Sequence, residues 1–569
     1  LACPVLPASD QATSLRGFYG RWCQEFQLQD VPWRRGVHMR ENRLGRTSHE
    51  HIPAFLIPTA GASEHTGEVW GCQLGWSGDH RSLAEELPDG RRQLQFGELL
   101  APGQVSLESG QHYTSPTLYS SYSNTGYNGL SWAFHRHCRQ QILNSPTWLA
   151  ERPVHYNCWE AIYFDHQWDT LTSIVERAVA AGAELFVLDD GWFLNRHDDT
   201  AGLGDWHPDP NKYPAGLTPL IEYVQQQGLR FGLWVEPEMV NKDSELYRSH
   251  PDWILDIADY DQVAGRHQYV LDLTRPEVVE YLFESLQRLL ADHAIDYLKW
   301  DMNRSANLAA DQHGRAVGGR QVRALYQLLA RLREAFPHVV IESCSSGGGR
   351  MDLGILRHTD RFWLSDSNDA HERWHMQRNA SLLLPPEVIG SHVGPAVCHT
   401  SGRRLSMNFR APVAASRHMG FELDPREMSE READTLRLWS AWYKSHRQLL
   451  HQGRHFRLEC AEPGILAEMF VEESTGQTIV FAAQLTTQQH AASQPLRLAG
   501  LQPDGNYRLQ LVHNRRAAPA ANRDDASPLL REGGVDVPGA VLMQQGIILP
   551  NSLPDTVWVI EGLRLPAGA

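Results

Sequence analysis

From Pro153 to about residue 455 the sequence alternates short apolar runs with amphipathic stretches of helical period, and each run ends in polar residues. Val154–Trp159 is the first run, then Leu185–Leu188 before Asp189-Asp190, Phe231–Val235 before Glu236, and Tyr297–Trp300 before Asp301. Val339–Ile341 leads to Cys344, Phe362–Leu364 to Ser365-Asp366, Val388–Gly390 to Ser391-His392, and Phe421–Leu423 to Asp424, which makes eight. Continuous apolar runs suit parallel strands covered on both faces. Eight strand–helix units in roughly 300 residues have the size of a (β/α)8 barrel with insertions. The helical punctuation agrees. Leu171, Ile174, Val175, Ala178 and Val179 share one face, closed by Gly182 where a left-handed cap belongs. Thr274 with Glu277 reads as a capping box with Pro276 in the first turn, and Ser429 with Glu432 reads as another.

The flanks have a different rhythm. Before residue 150 the chain reads as strands and turns: Glu68–Trp76 runs into Ser77-Gly78, Arg92–Phe96 alternates at period two, and one helix is expected over Gly129–Ile142. After residue 455, Ile465–Val471, Thr478–Leu485, Tyr507–His513, Gly546–Leu549 and Thr556–Leu563 read as strands. The expected fold class is therefore α/β. A central (β/α)8 TIM barrel (151–455) is flanked by antiparallel β structure with a linker helix (1–150), its upstream edge unclear. A small antiparallel C-terminal β domain (456–569) follows. The first residue is Leu1, so a fragment or processed chain is expected; Leu1-Ala2-Cys3 lacks the upstream apolar run of a lipoprotein signal.

Composition narrows the function. A hydrophobic share of 42% with 45 Gly and 32 Pro among 569 residues is that of a globular protein. A net charge of −16 argues against nucleic acid and anionic membranes as partners. No apolar run approaches the roughly 18 residues of a membrane span. Eight Cys without a CxxC pair imply reduced thiols and a cytoplasmic protein. The 18 Trp hint at sugar-covering surfaces, although most fill the core.

In a (β/α)8 barrel the reacting groups project from the C-terminal strand ends, where this sequence puts Asp189, Asp190, Glu236, Asp301 and Asp366. Gathering carboxylates there is costly unless they bind, react or form an ion-pair network. Paired carboxylates suit glycoside cleavage, one as acid and the other as nucleophile or base. Trp159, Trp192, Trp206 and Trp234 are expected to wall such a pocket. His49-Glu50-His51 and His135-Arg136-His137 lack HExxH spacing and read as surface or core histidines. Ser345–Arg350 lacks the phosphate-loop pattern GxxxxGK[ST], so neither metal nor cofactor is expected.

Five motifs occur in order: Phe186–Phe193 around Asp189-Asp190-Gly191-Trp192, Gly232–Asn241, Lys299–Arg304, Cys344–Arg350 and Ser365–Asp369. The chain closely resembles the bacterial α-galactosidases of glycoside hydrolase family 36. That resemblance implies a retaining exo-hydrolase of melibiose- and raffinose-type galactosides, with Asp301 as nucleophile and Asp366 as acid/base. The choice of Asp366 over Asp369 rests on the resemblance. So does a galactose site of Asp189, Asp190, Arg266, Lys299, Trp159 and Trp234, with Cys344 and the Gly347 backbone near the 2-hydroxyl. The resemblance also makes 1–150 part of an N-terminal antiparallel β-sandwich, incomplete upstream, and 456–569 a C-terminal antiparallel β-sandwich. Small α-galactoside oligosaccharides are the implied partners, and a homo-oligomer is implied where the full N-terminal domain is present. Where relatives carry a third acid in the last motif, this chain has Ser367. An α-N-acetylgalactosaminidase, a galactosyl transferase and a non-catalytic galactoside-binding fragment are the alternatives.

Overall fold

The computed structural model describes residues 5–257, 259–260, 265–307, 309–490, 493–512 and 527–566. Eight parallel strands close into a barrel: β1 (His155–Asn157), β2 (Leu185–Leu188), β3 (Arg230–Val235), β4 (Tyr297–Trp300), β5 (Val340–Ser343), β6 (Arg361–Trp363), β7 (Ile389–Val393) and β8 (His418–Phe421). Tyr156 of β1 pairs with Phe421 of β8 and completes the ring. The strands are buried on both faces, as their apolar runs require. Yet the interior near the strand starts is not apolar. Arg361, fully buried, pairs with Glu342 at 2.8 Å and reaches His155 at 3.0 Å and His418 at 3.3 Å. A charge so deep is tolerable only when paired and hydrogen-bonded.

Two expectations are corrected. The eighth strand is His418–Phe421, so the rim residue that follows it is Glu422 and not Asp424. His418, Met419 and Gly420 do not read as an apolar run, but they carry the ladder to β7 and β1. Asp424 instead pairs with Arg426 at 2.7 Å. Nor does Thr274 cap a helix. Its hydroxyl donates to Asp272 at 2.5 Å, and the helix Pro276–Asp292 starts without a side-chain cap. The Ser429–Glu432 box is present, and Gly182 closes the helix Trp168–Ala181 at φ 100.

The N-terminal part forms two antiparallel sheets of four and five strands. Leu15, Phe55, Ile57, Leu74, Trp76, Leu94 and Phe96 fill their shared core, which Val322 of the barrel helix Gly318–Ala335 joins. One hairpin of these sheets touches the barrel through Trp22. Ser14–Arg21 turns into Gln24–Pro32 through Trp22 and Cys23, and Cys23 (φ 65) and Phe26 (φ 53) are left-handed. The expected helix runs from Gly126 to His137 and continues through Cys138–Ile142.

The C-terminal sheet has six antiparallel strands, ending with Thr556–Arg564, and a two-stranded ribbon accompanies it. Its first strand, Arg454–Leu458, follows the helix Glu430–Gln452 directly, and two arginines hid it from the sequence pattern. Cys3 and His513 lie outside the described residues. No helix among the described residues is long and apolar enough to cross a membrane.

Candidate active site

A cavity of about 720 Å³ opens at the C-terminal ends of the barrel strands. Eight of the ten site residues expected from the sequence line it: Asp189, Asp190, Trp159, Trp234, Arg266, Lys299, Asp301 and Asp366. They come from separate strands. Asp189 and Asp190 follow β2, Trp234 lies in β3, Lys299 in β4 with Asp301 just after it, and Asp366 beyond β6. Lys299 and Asp301 are two residues apart, so both face the same way.

Asp301 is held by donors on both oxygens. Oδ1 accepts from the backbone N–H of Met302 at 2.8 Å and of Ser346 at 3.2 Å. Oδ2 accepts from Asn303 Nδ2 at 2.7 Å and Trp234 Nε1 at 3.2 Å. Burial pushes this carboxyl up, but the Lys299 charge and hydrogen bonds from Cys344 and Asn303 outweigh it and hold Asp301 below the usual carboxylate range. It stays ionised.

Asp366 has fewer partners. Trp22 Nε1 donates to Oδ2 at 2.8 Å and Trp363 Nε1 to Oδ1 at 3.1 Å. Burial, then the Asp301 charge, pushes Asp366 above the usual range against the Trp22 hydrogen bond. Two carboxyls of one cavity are thus driven apart, one towards the anion and the other towards the acid.

The remaining wall is polar. Lys299 Nζ pairs with Asp189 Oδ2 at 2.9 Å, which also accepts from Asn157 at 2.6 Å. Asp190 is gripped from behind by both arms of fully buried Arg196, at 2.8 and 2.7 Å. Arg266 stands exposed at the mouth in a left-handed conformation, φ 50.

Two expected residues stand one layer back. Cys344 is fully buried and donates to Asp301. Gly347, at φ 71, packs beneath Asp366: a Cβ there would stand 2.7 Å from the Asp366 nitrogen. Trp192 and Trp206 are not walls. Trp192 is fully buried and donates to the Trp234 carbonyl at 2.9 Å, and Trp206 packs on Phe193. Asp369 is absent from the lining. It caps the helix Ala370–Ala380 and accepts from Arg403 at 2.9 Å. Glu236 also stands back, bonded to Gln268 at 3.0 Å, and burial with the Asp301 charge pushes it up to about 8.

Sequence reasoning missed several lining groups. Trp22 and Arg21 come from the N-terminal hairpin, Arg46 and His49 from the connection after Gly36–Asn42, Glu160 and Tyr163 follow Trp159, and Glu422 follows β8. His49, expected as a surface or core residue, binds the Ser346 carbonyl at 2.7 Å. Arg46 ties the Met302 carbonyl, 2.9 Å, to Ser345 Oγ, 2.9 Å. Among the described residues no group of three or more His, Cys, Asp or Glu is disposed to hold a metal ion.

Residues 112–453 match the Melibiase family, 1–108 the glycosyl hydrolase family 36 N-terminal domain and 465–558 its C-terminal domain. The chain belongs to glycosyl hydrolase family 36. An α-galactosidase of Escherichia coli is 43% identical over 549 residues, spanning 94% of this chain and 77% of that enzyme. The bifunctional α-galactosidase/sucrose kinase of Mediterraneibacter gnavus is 34% identical over 94% of this chain and 54% of its own length. The crystal structure of the family 36 α-galactosidase AgaA of Geobacillus stearothermophilus superposes with TM-score 0.91 at 33% identity, over 99% of this chain and 76% of that one. Variants of that enzyme have been solved with raffinose and with stachyose.

Proposed function

We propose that this family 36 chain is a retaining α-galactosidase that removes terminal α-D-galactosyl residues from small oligosaccharides. Asp301 attacks the anomeric carbon from the β face while Asp366 protonates the departing glycosidic oxygen. In the second half Asp366 takes a proton from water, whose oxygen displaces Asp301. The observation that carries this reading is the divergence of the two carboxyls: one kept ionised by Lys299, Cys344 and Asn303, the other pushed towards its acid form by burial and by its neighbour's charge. Once the ester forms, that charge disappears and Asp366 becomes a better base.

The rest of the cavity supports the same substrate class. Asp189 with Lys299, and Asp190 with Arg196, present fixed acceptors and donors suited to the axial 4-hydroxyl and the 6-hydroxyl of galactose. A wrong epimer cannot complete these hydrogen bonds, at a loss on the order of 10⁴-fold in rate. Trp159 and Trp234 give the apolar side of the ring a surface. The α-galactosidase names of the relatives and the raffinose and stachyose bound by AgaA variants favour this substrate class. The division into 1–150, 151–455 and 456–569 is proposed with it. So are a cytoplasmic site of action, consistent with the seven unpaired cysteines among the described residues, and assembly into a homo-oligomer.

The test is the first product anomer released from an aryl α-galactoside, read by proton NMR. Initial α-galactose is expected. Initial β-galactose removes the double displacement, and turnover of the aryl α-N-acetylgalactosaminide instead removes the substrate.

A further inference from the structure

The hairpin that brings Trp22 to Asp366 sends a second side chain inward. Glu25 is fully buried, and its carboxyl lies between two backbone segments that each serve one of the two carboxylates. On one side is the glycine loop. The Gly348 N–H points at Glu25 Oε1 at 3.4 Å, and the same loop offers the Ser346 N–H to Asp301. On the other side is Ser365-Asp366, where the Ser365 side chain bonds to Glu25. The three pieces touch closely. A Cβ on Gly347 would stand 2.9 Å from Glu25 Oε1, and one on Gly348 would stand 3.0 Å from Glu25 Cγ. Asn379 fixes the hairpin through the Phe26 carbonyl at 2.9 Å. Cys23 and Phe26 are left-handed, a strain that persists only where surroundings impose it.

We propose that Glu25 is a positioning residue that acts as a neutral carboxylic acid, wedging the glycine loop against Ser365-Asp366 so that both carboxylates keep their placement. It rests on the roles of Asp301 and Asp366 as nucleophile and acid/base. Among the described residues no lysine or arginine forms an ion pair with Glu25, although Arg373 feels its charge. From the barrel, Asp366 and Arg373 face it, and Arg373 is spent on the carbonyls of Ser367 at 2.7 Å and Gly390 at 2.9 Å. From the N-terminal part come Cys23, whose thiol burial pushes up, and His49, 3.9 Å away. Burial and the Arg46 charge lower His49 to about 4, so it is neutral. Glu25 Oε2 has no hydrogen-bond partner. An anion here has only the Ser365 side chain and backbone N–H groups to bond it, and burial with the Asp366 charge outweighs them and pushes the carboxyl up to about 8.

The experiment compares the pH dependence of kcat and KM on an aryl α-galactoside for the wild type, Glu25→Gln and Glu25→Ala. In the wild type two groups lose protons on the alkaline side, so the limb is steeper than one proton. Glu25→Gln, an isostere of the neutral acid, keeps kcat within about threefold near pH 6 and falls with a one-proton slope, exceeding the wild type about tenfold near pH 9.5. Glu25→Ala loosens both segments and lowers kcat about tenfold or more with little change in KM. An alkaline limb of Glu25→Gln that overlays the wild type overturns the proposal, as does full activity in Glu25→Ala. A tryptophan fluorescence titration is the second readout: a wild-type transition near the Glu25 value, lost in Glu25→Gln, is expected, and its persistence counts against the idea. An inactive wild type that still shows that difference points to failure of the functional reading instead.

Discussion

Trp22 and Asp366, 344 residues apart in sequence, share a hydrogen bond of 2.8 Å from the indole Nε1 to Oδ2. The N-terminal sheets therefore help set the proton affinity of a barrel carboxyl. A donor to the charged form favours that form. Trp22→Phe removes it, so the Asp366 carboxyl rises further and the alkaline limb of kcat/KM moves to higher pH. An unchanged limb means that Trp22 does not act through Asp366.

The two carboxyls are told apart by stereochemistry. Asp301→Gly loses at least about 10⁴-fold in kcat, and azide, attacking the α-galactoside directly, yields the β-azide. Asp366→Ala still forms the ester with an aryl leaving group, and azide displaces Asp301 to give the α-azide. Exchange of these products exchanges the roles. Asp369→Ala, a change at a helix cap, costs about 1 kcal/mol of stability and leaves kcat within a few fold.

Lys299 offsets the burial of Asp301 and also pairs with Asp189. Lys299→Met removes the largest influence opposing burial, so Asp301 ionises at higher pH and the acid limb of kcat/KM shifts upward. The stranded Asp189 adds a loss of roughly 10²- to 10³-fold in kcat/KM. An acid limb that stays in place disconnects Lys299 from the nucleophile.

The barrel was legible because each run between Leu185 and Trp300 is apolar and ends in acids, a pattern that parallel strands covered on both faces impose. The last strand was misplaced because His418 and Gly420 carry ladder bonds without apolar side chains. Glu422 was lost with it. Nothing local marks Trp22, Glu25 or His49 as site residues. Their partners lie some 300 residues downstream, and only folding brings the hairpin over the barrel mouth. Trp192 and Trp206 show the reverse error: an indole in a site motif is as useful behind a wall as on it.

Gly347 has φ 71, and a Cβ would stand 2.7 Å from the Asp366 nitrogen and 2.8 Å from the Ser365 Cα. Both obstacles are backbone, so Gly347→Ala must shift the segment that carries Asp366. A displacement on the order of 1 Å costs about 10²-fold in kcat. Galactose binding measured by calorimetry falls far less. Wild-type kcat in Gly347→Ala shows that the turn yields freely.

Arg417, just before β8, meets Glu468 of the C-terminal sheet through both arms, at 2.6 and 2.8 Å, and both side chains are fully buried. His455 adds a contact at 3.2 Å. Burial pushes Glu468 up, but the Arg417 charge and its hydrogen bonds outweigh it, so the folded carboxyl lies below its unfolded value. A depressed carboxyl contributes stability above its unfolded value, and that contribution fades as pH falls through the folded one. Arg417→Met removes the largest opposing charge and leaves a buried anion, at a cost of about 3–5 kcal/mol near neutrality. Burial then raises the Glu468 carboxyl above its unfolded value, and the sign reverses: stability is retained below the unfolded value and lost as pH rises through the folded one. The melting temperature of Arg417→Met is accordingly higher near pH 4.5 than near pH 7.5, opposite to what the intact pair gives the wild type. Parallel melting curves for the two proteins across that range show that this ion pair does not hold the C-terminal sheet to the barrel.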